Sequence, residues 1–336
     1  MSSWKSFLNS DPTGWLLEPD NPSVRYFTLT AILEEPASSA EVKKARTGIM
    51  KTGVVPEILS HQHPEGYWGD PKRFYTDKYK GTVWQLMILA ELGADGNDPQ
   101  IARACEFVLE HSQETLSGGF SAYRSEKAGG GLASYVIPCL TGNMVWSLIR
   151  LGHLIDERVQ KGINWINTYQ RFDDGDNSGP KGWPYDRYQM CWGKHTCHLG
   201  AVKTLKALAE IPAGMRSAAT VMTINQGVEY FLLHHIYRKS HDLDSVSKPG
   251  WLRLGFPLMY QSDILEILVI LGRLNCRDQR MRDAIDIVLS KQDPEGKWKM
   301  ENSYNGKVIT NIEKKGKPSK WITMNALRVL KGCCGE

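Results

Sequence analysis

The sequence predicts an all-helical protein made of six helix pairs in two layers. Three observations predict this: a turn phrase recurs along the chain, a Ser or Thr after each copy opens an apolar stretch, and more amphipathic stretches precede the copies. Six inner and six outer helices can close into a ring, which removes the exposed ends that an open helical stack must cap. We therefore predict an (α/α)6 toroid around a central cavity, in one domain over residues 1–332. An open helical solenoid is the alternative.

The recurring turn contains Gln or another polar residue, then Asp-Pro or His-Pro, then Gly and an aromatic residue. Its clearest copies cover residues 9–15, 62–68 and 292–298, and looser copies cover 113–120, 170–183 and 235–251. Pro and Gly mark turns, so each copy is interpreted as the connection between an outer and an inner helix.

The inner helices are predicted from the Ser and Thr residues, which recur at intervals of 55 to 66 residues. Such side chains cap helix N-termini by accepting a hydrogen bond from a backbone N–H. The predicted caps are Ser23, Thr82, Thr141, Thr196, Ser262 and Ser319. The apolar stretches after them predict inner helices at 83–92, 142–151, 197–209, 263–274 and 320–330. The amphipathic stretches predict outer helices at 101–111, 158–169, 217–235 and 281–291.

The composition limits the class of protein. Hydrophobic residues make up 41% and charged residues 23%, as in ordinary globular domains, and the net charge of +4 is too small to indicate nucleic-acid binding. No apolar run is long enough for a membrane-spanning helix, and no signal peptide is evident at the N-terminus. Seven cysteines without a dense framework favour a reduced, cytoplasmic protein. Cys333 and Cys334 are predicted to lie in a short unstructured tail, 333–336.

The turn copies resemble a motif of a known superfamily. Gln62, Gly66 and Trp68 match the QW repeat of squalene and oxidosqualene cyclases in full, as do the equivalent residues of 292–298, and residues 161–170 match its upstream half. Protein prenyltransferase β-subunits share the α/α-toroid with these cyclases. The resemblance covers nearly the whole chain and implies a cavity that holds an isoprenoid or similar apolar ligand. It also implies chemistry near the starts of the inner helices and, for a prenyltransferase-like chain, a possible partner subunit.

The acidic motif of squalene-type cyclases is missing. The dense acidic cluster at 173–176 has an inverted order, and we interpret Asp174 and Asp176 as candidate catalytic or diphosphate-anchoring residues, with Mg²⁺ if a diphosphate is used. A solvated acidic turn is the alternative. Asp263 opens the fifth inner helix and is the candidate general acid, because a carboxylate on an apolar helix is costly without a partner. It also suits a role that only caps its own helix.

A Cys/His-rich segment leads into the fourth inner helix. Cys191, His195, Cys197 and His198 lie within eight residues, and thiolate with imidazole is the ligand pair that zinc favours. Cys139 lies at the equivalent start of the third inner helix. We predict a zinc site with Cys139, Cys197 and His198 as ligands and Cys191 as a fourth, and His195 as a catalytic candidate. The segment partly resembles the zinc sites of protein prenyltransferases and lanthionine cyclases, and buried structural cysteines are the alternative.

Further cavity candidates lie near other inner-helix starts. Aromatic faces there can stabilise carbocations, although packing in the core is the favoured role for any single ring. The predicted substrate-binding residues are Arg25, Tyr26, Trp84, Asn143, Trp321 and Asn325. Three functions remain open: a zinc-assisted enzyme that activates a thiol, a metal-independent terpene cyclase with an unusual Asp acid, and a non-catalytic carrier of an apolar ligand.

Overall fold

The backbone is mostly helical, as the repeated pattern predicts. The computed structural model describes residues 3–175, 179–193 and 195–334. Within these residues, no helix is long and apolar enough to cross a membrane. The helices are α1 (Thr13–Leu16), α2 (Pro22–Phe27), α3 (Ala40–Lys51), α4 (Val54–Ser60), α5 (Thr82–Glu91), α6 (Pro99–His111), α7 (Pro138–Arg150), α8 (Glu157–Tyr169), α9 (Gln189–Trp192), α10 (His198–Glu210), α11 (Ala218–Leu233), α12 (Ile264–Arg273), α13 (Arg282–Ser290) and α14 (Lys320–Cys334). A hairpin of β1 (Arg238–Lys239) and β2 (Asp242–Val246) lies in the long fifth turn, where no strand was predicted.

One compact unit combines the two ends of the chain, Met1–Ile58 and Phe231–Glu336. Helix α14 packs against α12 and also against α1 and α2, so the last repeat contacts the first. Lys320 pairs with Glu18 at 2.8 Å and with Asp20, and the rings of Phe27 and Trp321 lie 6.1 Å apart. These contacts join the N-terminal segment to the final inner helix.

The second unit, Leu59–Tyr230, contains a row of three inner helices. Helix α7 lies in the middle of this row and contacts both α5 and α10, while the amphipathic helices α6 and α8 pack on α5 and α7. A side chain at Gly142 would lie 2.4 Å from the Lys203 backbone, so glycine permits α7 and α10 to approach closely.

The recurring turn ties each aromatic residue to the inner helix that follows it. The backbone N–H of Trp68 donates to Thr82 Oγ1 at 3.2 Å, and the Phe120 N–H donates to Thr141 Oγ1 at 2.9 Å. The Trp298 N–H donates to Thr323 Oγ1 at 2.9 Å in the same way. A threonine near the helix start therefore satisfies a buried donor of the preceding turn.

The glutamine of the turn links neighbouring repeats. Gln62 Nε2 donates to the carbonyl of Gln100, in the first turn of α6, at 2.9 Å. Gln113 Nε2 donates to the carbonyl of Arg158, in the first turn of α8, at 2.7 Å, and also to Gly118 O at 2.9 Å. The looser copy at 113–120 thus has the same geometry as the clear copy at 62–68.

Five of the six predicted caps do not cap the helix that follows them. Asn21 caps α2 and Asp263 caps α12, rather than Ser23 and Ser262. Thr82 and Thr141 lie inside their helices, where they accept from the turn as described above, and Thr196 precedes the N-cap position of α10.

Ser319 does cap as predicted, since it accepts from the Ile322 N–H at 3.0 Å. Helix α7 begins earlier than predicted because Pro138 is well suited to a first helical turn. The tail prediction is wrong for Cys333 and Cys334, because α14 continues through both residues.

Candidate functional site

Three cysteines from separate parts of the sequence meet in the second unit. Cys139 lies in the first turn of α7, Cys197 at the N-cap position of α10, and Cys191 on the short helix α9. The thiols of Cys191 and Cys197 are hydrogen-bonded to each other, and Cys139 is close enough to interact electrostatically with both. We name these three residues the thiol cluster. Cys139 is buried, whereas Cys191 and Cys197 are half-buried.

The surroundings favour neutral thiols in the cluster. Burial raises the pKa of Cys139 to about 12, and the neighbouring Cys197 contributes in the same direction. The hydrogen bond to Cys197, followed by burial, raises the pKa of Cys191 well above its ordinary value. Two adjacent thiolates would repel each other in a poorly hydrated site. A cation at this place would therefore be needed to stabilise more than one thiolate.

An ion pair fixes the chain on both sides of the cluster. Arg171, which is 9% exposed, donates through Nη1 to the carbonyls of Trp192 at 3.1 Å and Gly193 at 2.9 Å. Its Nη2 and Nε atoms donate to the two carboxylate oxygens of Asp173, at 2.8 and 2.5 Å. Thr196 Oγ1 donates to Asp173 Oδ1 at 3.4 Å. We name the Arg171–Asp173 pair the clamp, because it connects the residues next to Cys191 with the residue next to Cys197.

Aromatic rings anchor the segment that carries Cys191. Trp192 makes edge-to-face contacts with Trp165 of α8, at 5.9 Å, and with Tyr185, at 5.2 Å. The Tyr185 hydroxyl donates to the carbonyl of Tyr169 at 3.1 Å. The position of α9 is therefore determined by packing as well as by the clamp.

Tyr230 is a buried phenol that interacts with both Cys197 and Asp174. Tyr230, on α11, is 5% exposed, and its ring lies 6.2 Å from that of Phe172. Burial raises the pKa of the Tyr230 phenol, with smaller contributions from Asp174 and Cys197. The candidate Asp174 thus lies near Tyr230, whereas Asp176 is outside the described residues. Tyr230 was not predicted, because no motif in the sequence connects α11 to this site.

The two candidate histidines lie beside the cluster in the sequence and take different positions. His198 is the first residue of α10 and is half-buried. His195 is exposed, and its ring contacts the backbone at Gly175, where an added Cβ would lie 2.4 Å from the ring. Within residues 3–175, 179–193 and 195–334, no three His, Cys, Asp or Glu side chains are arranged to hold a metal ion.

Asp263 lies in the first unit and acts as a helix cap. It is 1% exposed, and its two oxygens accept the backbone N–H groups of Glu266 at 2.9 Å and Gly255 at 2.8 Å. This arrangement uses the carboxylate as an acceptor, which is the capping role considered for this residue. A proton-donating role of Asp263 stays a prediction.

The predicted substrate-binding residues of the first unit make contacts within the protein. Arg25 pairs with Glu41, and Arg328 Nη1 donates to Asn325 Oδ1 at 3.1 Å. The ring of Trp321 stacks on that of Phe256 at 4.2 Å. Tyr26 stands edge-on to its neighbour Phe27, at 5.2 Å. These contacts describe packing, and ligand binding by these residues stays a prediction.

The candidates of the second unit line the row of inner helices. Trp84 is 1% exposed, and its Nε1 donates to the carbonyl of Tyr75 at 2.8 Å. Asn143 is 5% exposed and lies one helical turn after Cys139 on α7. Both positions are consistent with helix packing, and their roles in ligand binding also stay predictions.

A charged group that was not predicted lies at the other end of the same helices. Lys206 on α10 reaches Glu91 on α5 at 2.9 Å, and its ammonium lies 4.0 Å above the ring of Trp146 on α7. Arg150 pairs with Glu210 at 3.4 Å nearby. Lys206 therefore connects all three helices of the row through charged and cation–π contacts.

Comparisons with known proteins return distant structural similarity. No protein-family model and no curated protein matches the chain. Two solved structures of variants of the type II terpene cyclase MstE from Scytonema, in complex with geranylgeranyl dihydroxybenzoate, are similar to it. The first has 17% identity and a TM-score of 0.42, and the match covers 93% of this chain and 87% of that one. The second has 16% identity and a TM-score of 0.41, with 93% and 86% covered.

Proposed function

We propose that this chain is a terpene-cyclase- or prenyltransferase-like enzyme that holds an isoprenoid-like substrate in a toroid and uses the thiol cluster as its reactive site. The observation that supports this proposal is the meeting of Cys139, Cys191 and Cys197 at the starts of two adjacent inner helices. Burial favours neutral thiols here, so the thiolate that this chemistry needs depends on a bound cation, which the helix N-termini would assist.

The toroid itself is supported by contacts within each unit. In the first unit, α14 packs against α2 and α12, so the first and last repeats touch. An open solenoid would separate these repeats. In the second unit, α7 contacts both α5 and α10, and Lys206 on α10 reaches Glu91 on α5, as a curved row of helices would allow. Closure of six inner helices into one ring is the arrangement that we infer from these rows.

Zinc is the metal that suits the donor chemistry of the cluster. Three thiols with His198 nearby form the kind of ligand set that zinc prefers. The described side chains are not arranged around one point, so zinc binding requires the thiols to turn toward a common centre. Bound zinc would lower the pKa of thiols in the site and supply a thiolate nucleophile at neutral pH. The residues of the chain hold the ligands, since the clamp fixes the segment that carries Cys191.

Zinc binding is tested by elemental analysis of the full chain purified without chelators. We expect stoichiometric zinc in the wild type and its loss in Cys197→Ala. Cys105→Ala is the matched control, because Cys105 is a buried thiol on α6 outside the cluster. Absence of zinc after purification and after titration with zinc would contradict the zinc part of the proposal. Turnover of prenyl diphosphates by the zinc-loaded wild type, with and without a thiol acceptor, tests the enzyme part.

A second candidate, metal-independent cyclisation by a carboxylic acid, is supported by Glu313. Burial raises the pKa of Glu313, which lies at the start of the inner helix α14 and accepts from the Lys320 N–H at 2.8 Å. A raised pKa favours the protonated form that a general acid needs. Loss of cyclised product in Glu313→Gln, with unchanged product in Asp263→Asn, would favour this residue over the acid proposed from the sequence.

A further inference from the structure

The positive charge of the chain is concentrated in one segment. Residues 295–320 contain seven Lys, three Glu and neither Arg nor Asp, so the segment carries a charge of +4 (7 − 3). The whole chain has 41 basic and 37 acidic residues, and its charge is also +4. The rest of the chain therefore contains 34 residues of each sign (41 − 7 and 37 − 3) and is neutral overall.

The carboxylates of this segment all have partners. Glu295 pairs with Lys297 at 2.5 Å, and Glu301 pairs with Lys291 at 2.7 Å. Glu313 lies before the start of α14, where its carboxylate accepts a backbone N–H of the helix at 2.8 Å. These three carboxylates therefore leave most of the lysines of the segment without a negative neighbour.

Five of the seven lysines are exposed to solvent. Lys297 is paired as described above, and the buried Lys320 contacts Glu18 at 2.8 Å. The other five are all exposed, and none has an ion-pair partner among the residues that the structure describes. We name these five residues the lysine patch: Lys299, Lys307, Lys314, Lys315 and Lys317. The patch presents five positive charges to the solvent.

Hydrogen bonds gather the patch on one folded stretch of the surface. The Met300 N–H donates to the carbonyl of Lys317 at 3.0 Å, so Lys299 and Lys317 lie on neighbouring stretches of chain. Asn305 Nδ2 donates to the carbonyl of Glu313 at 2.8 Å, and this bond closes the loop between these stretches. The loop carries a further lysine of the patch, and the other two follow Glu313 directly. The five charges thus belong to one short structure.

The composition of the patch favours a broad negative surface as its partner. Lysine carries a compact, strongly hydrated charge, whereas arginine, which residues 295–320 lack, makes the forked contacts that recognise individual phosphates and base edges. The aromatic residues of the segment, Trp298 and Tyr304, are buried. They are therefore not available to stack nucleic-acid bases or to anchor a protein partner. Clusters of about four to eight basic residues are typical of segments that bind anionic lipids.

We propose that the lysine patch is a docking surface for membranes that contain anionic lipids. The contact is peripheral and electrostatic, so it weakens as salt screens the charges. The proposal goes beyond the function proposed above, because it depends on surface charge and on neither the thiol cluster nor zinc. If the chain holds an isoprenoid-like substrate, docking would place it at the phase in which such a substrate dissolves.

Co-sedimentation of the full chain with lipid vesicles tests the proposal. One set of vesicles consists of phosphatidylcholine alone, and in the other about three lipids in ten are phosphatidylserine. We expect the chain to bind the second set at about 0.1 M salt and to be released at about 0.5 M, because the screening length falls by about half. Equal binding to both sets, or binding that resists salt, overturns the proposal.

Two adjacent pairs of exposed lysines provide matched variants. Lys314→Gln/Lys315→Gln removes two charges from the patch, and the control Lys43→Gln/Lys44→Gln removes two exposed charges from α3. We expect the first variant to lower the vesicle partition coefficient about twenty-five-fold, since each lysine near an anionic surface contributes about fivefold. The control should change it by less than about twofold, and Lys314→Arg/Lys315→Arg should bind as the wild type does. Equal losses in the two glutamine variants would assign binding to net charge and overturn the patch.

A labelled single-stranded oligonucleotide tests the competing class of polyanion. Binding of the oligonucleotide at about 0.1 M salt, without binding to either set of vesicles, would assign the patch to nucleic acid and overturn the proposal. Thermal unfolding of each variant verifies that it is folded. The zinc content of the patch variant should equal that of the wild type, which separates this test from the test of the thiol cluster.

Discussion

The hydrogen bond from the recurring turn to the inner helix can be isolated by one matched pair of substitutions. Thr141 and Thr204 are both fully buried, and each donates to the carbonyl four residues earlier, at 3.0 and 2.8 Å. Only Thr141 also accepts from the turn, through the Phe120 N–H at 2.9 Å. Thr141→Val and Thr204→Val therefore remove the same donor, and Thr141→Val removes one additional contact.

The expected loss of stability follows from the backbone N–H of Phe120, which loses its acceptor in Thr141→Val. Valine has nearly the shape of threonine, so neither substitution creates a cavity, and both lose a hydroxyl bond to a helix carbonyl. In Thr141→Val the Phe120 N–H remains buried without an acceptor, which costs about 1–3 kcal/mol. We expect Thr141→Val to lower the free energy of unfolding by about that much more than Thr204→Val does.

Equilibrium urea unfolding measures both variants against the wild type. The comparison is valid where the slope of free energy against urea is the same for all three proteins. Equal losses in the two variants would refute the reasoning, because the turn contact would then contribute nothing beyond the shared hydroxyl bond.

Three other predictions concern turn geometry, buried charge and pH. Gly118→Ala should lower the free energy of unfolding by about 1–3 kcal/mol more than Gly129→Ala does. Both glycines have positive φ, but only at Gly118 would the new Cβ lie 2.6 Å from a backbone atom, that of Lys161. Equal losses in denaturant titrations would contradict this. Lys206→Met should lower the free energy of unfolding by about 3–5 kcal/mol, because it leaves the Glu91 carboxylate without its ion-pair partner. The double variant Glu91→Gln/Lys206→Met should lose less, as measured by urea unfolding. A double variant as unstable as the single one would show that the two charges are not coupled. Burial raises the pKa of Glu91, but neighbouring cations, Lys206 above all, lower it more. The pKa of Glu91 in the folded protein is therefore below its ordinary value of 4.5. The charged Glu91 therefore stabilises the protein fully above pH 4.5, and this stabilisation is lost as the pH falls through the lowered pKa of the folded state. The free energy of unfolding should depend less on pH in this range for the double variant.

The helices were predictable because their pattern is local and repeated. Apolar periodicity and the turn residues gave α5, α6, α8 and α10 to within a few residues. The role of the threonines was not predictable, because a threonine that caps its own helix and one that accepts from the preceding turn occupy similar positions in the sequence. Only the backbone path of the turn distinguishes them.

The thiol cluster was partly predictable for a related reason. Cys139 and Cys197 are 58 residues apart, close to the repeat length, so both were expected at equivalent helix starts. Cys191 was predicted only as a fourth ligand, yet it interacts directly with Cys197. The structure of the long turn explains this, since Arg171 folds it back on itself, and a single arginine in a polar segment gives no signal in the sequence.

The charged group around Lys206 limits where the apolar substrate that we propose could lie in the second unit. Moving an apolar chain against Glu91 and Lys206 would strip water from an ion pair without supplying new partners, which is unfavourable. The ammonium above Trp146 also occupies the ring face that would otherwise stabilise a carbocation. The chemistry that we propose therefore belongs at the opposite ends of these helices, where Cys139 and Cys197 lie.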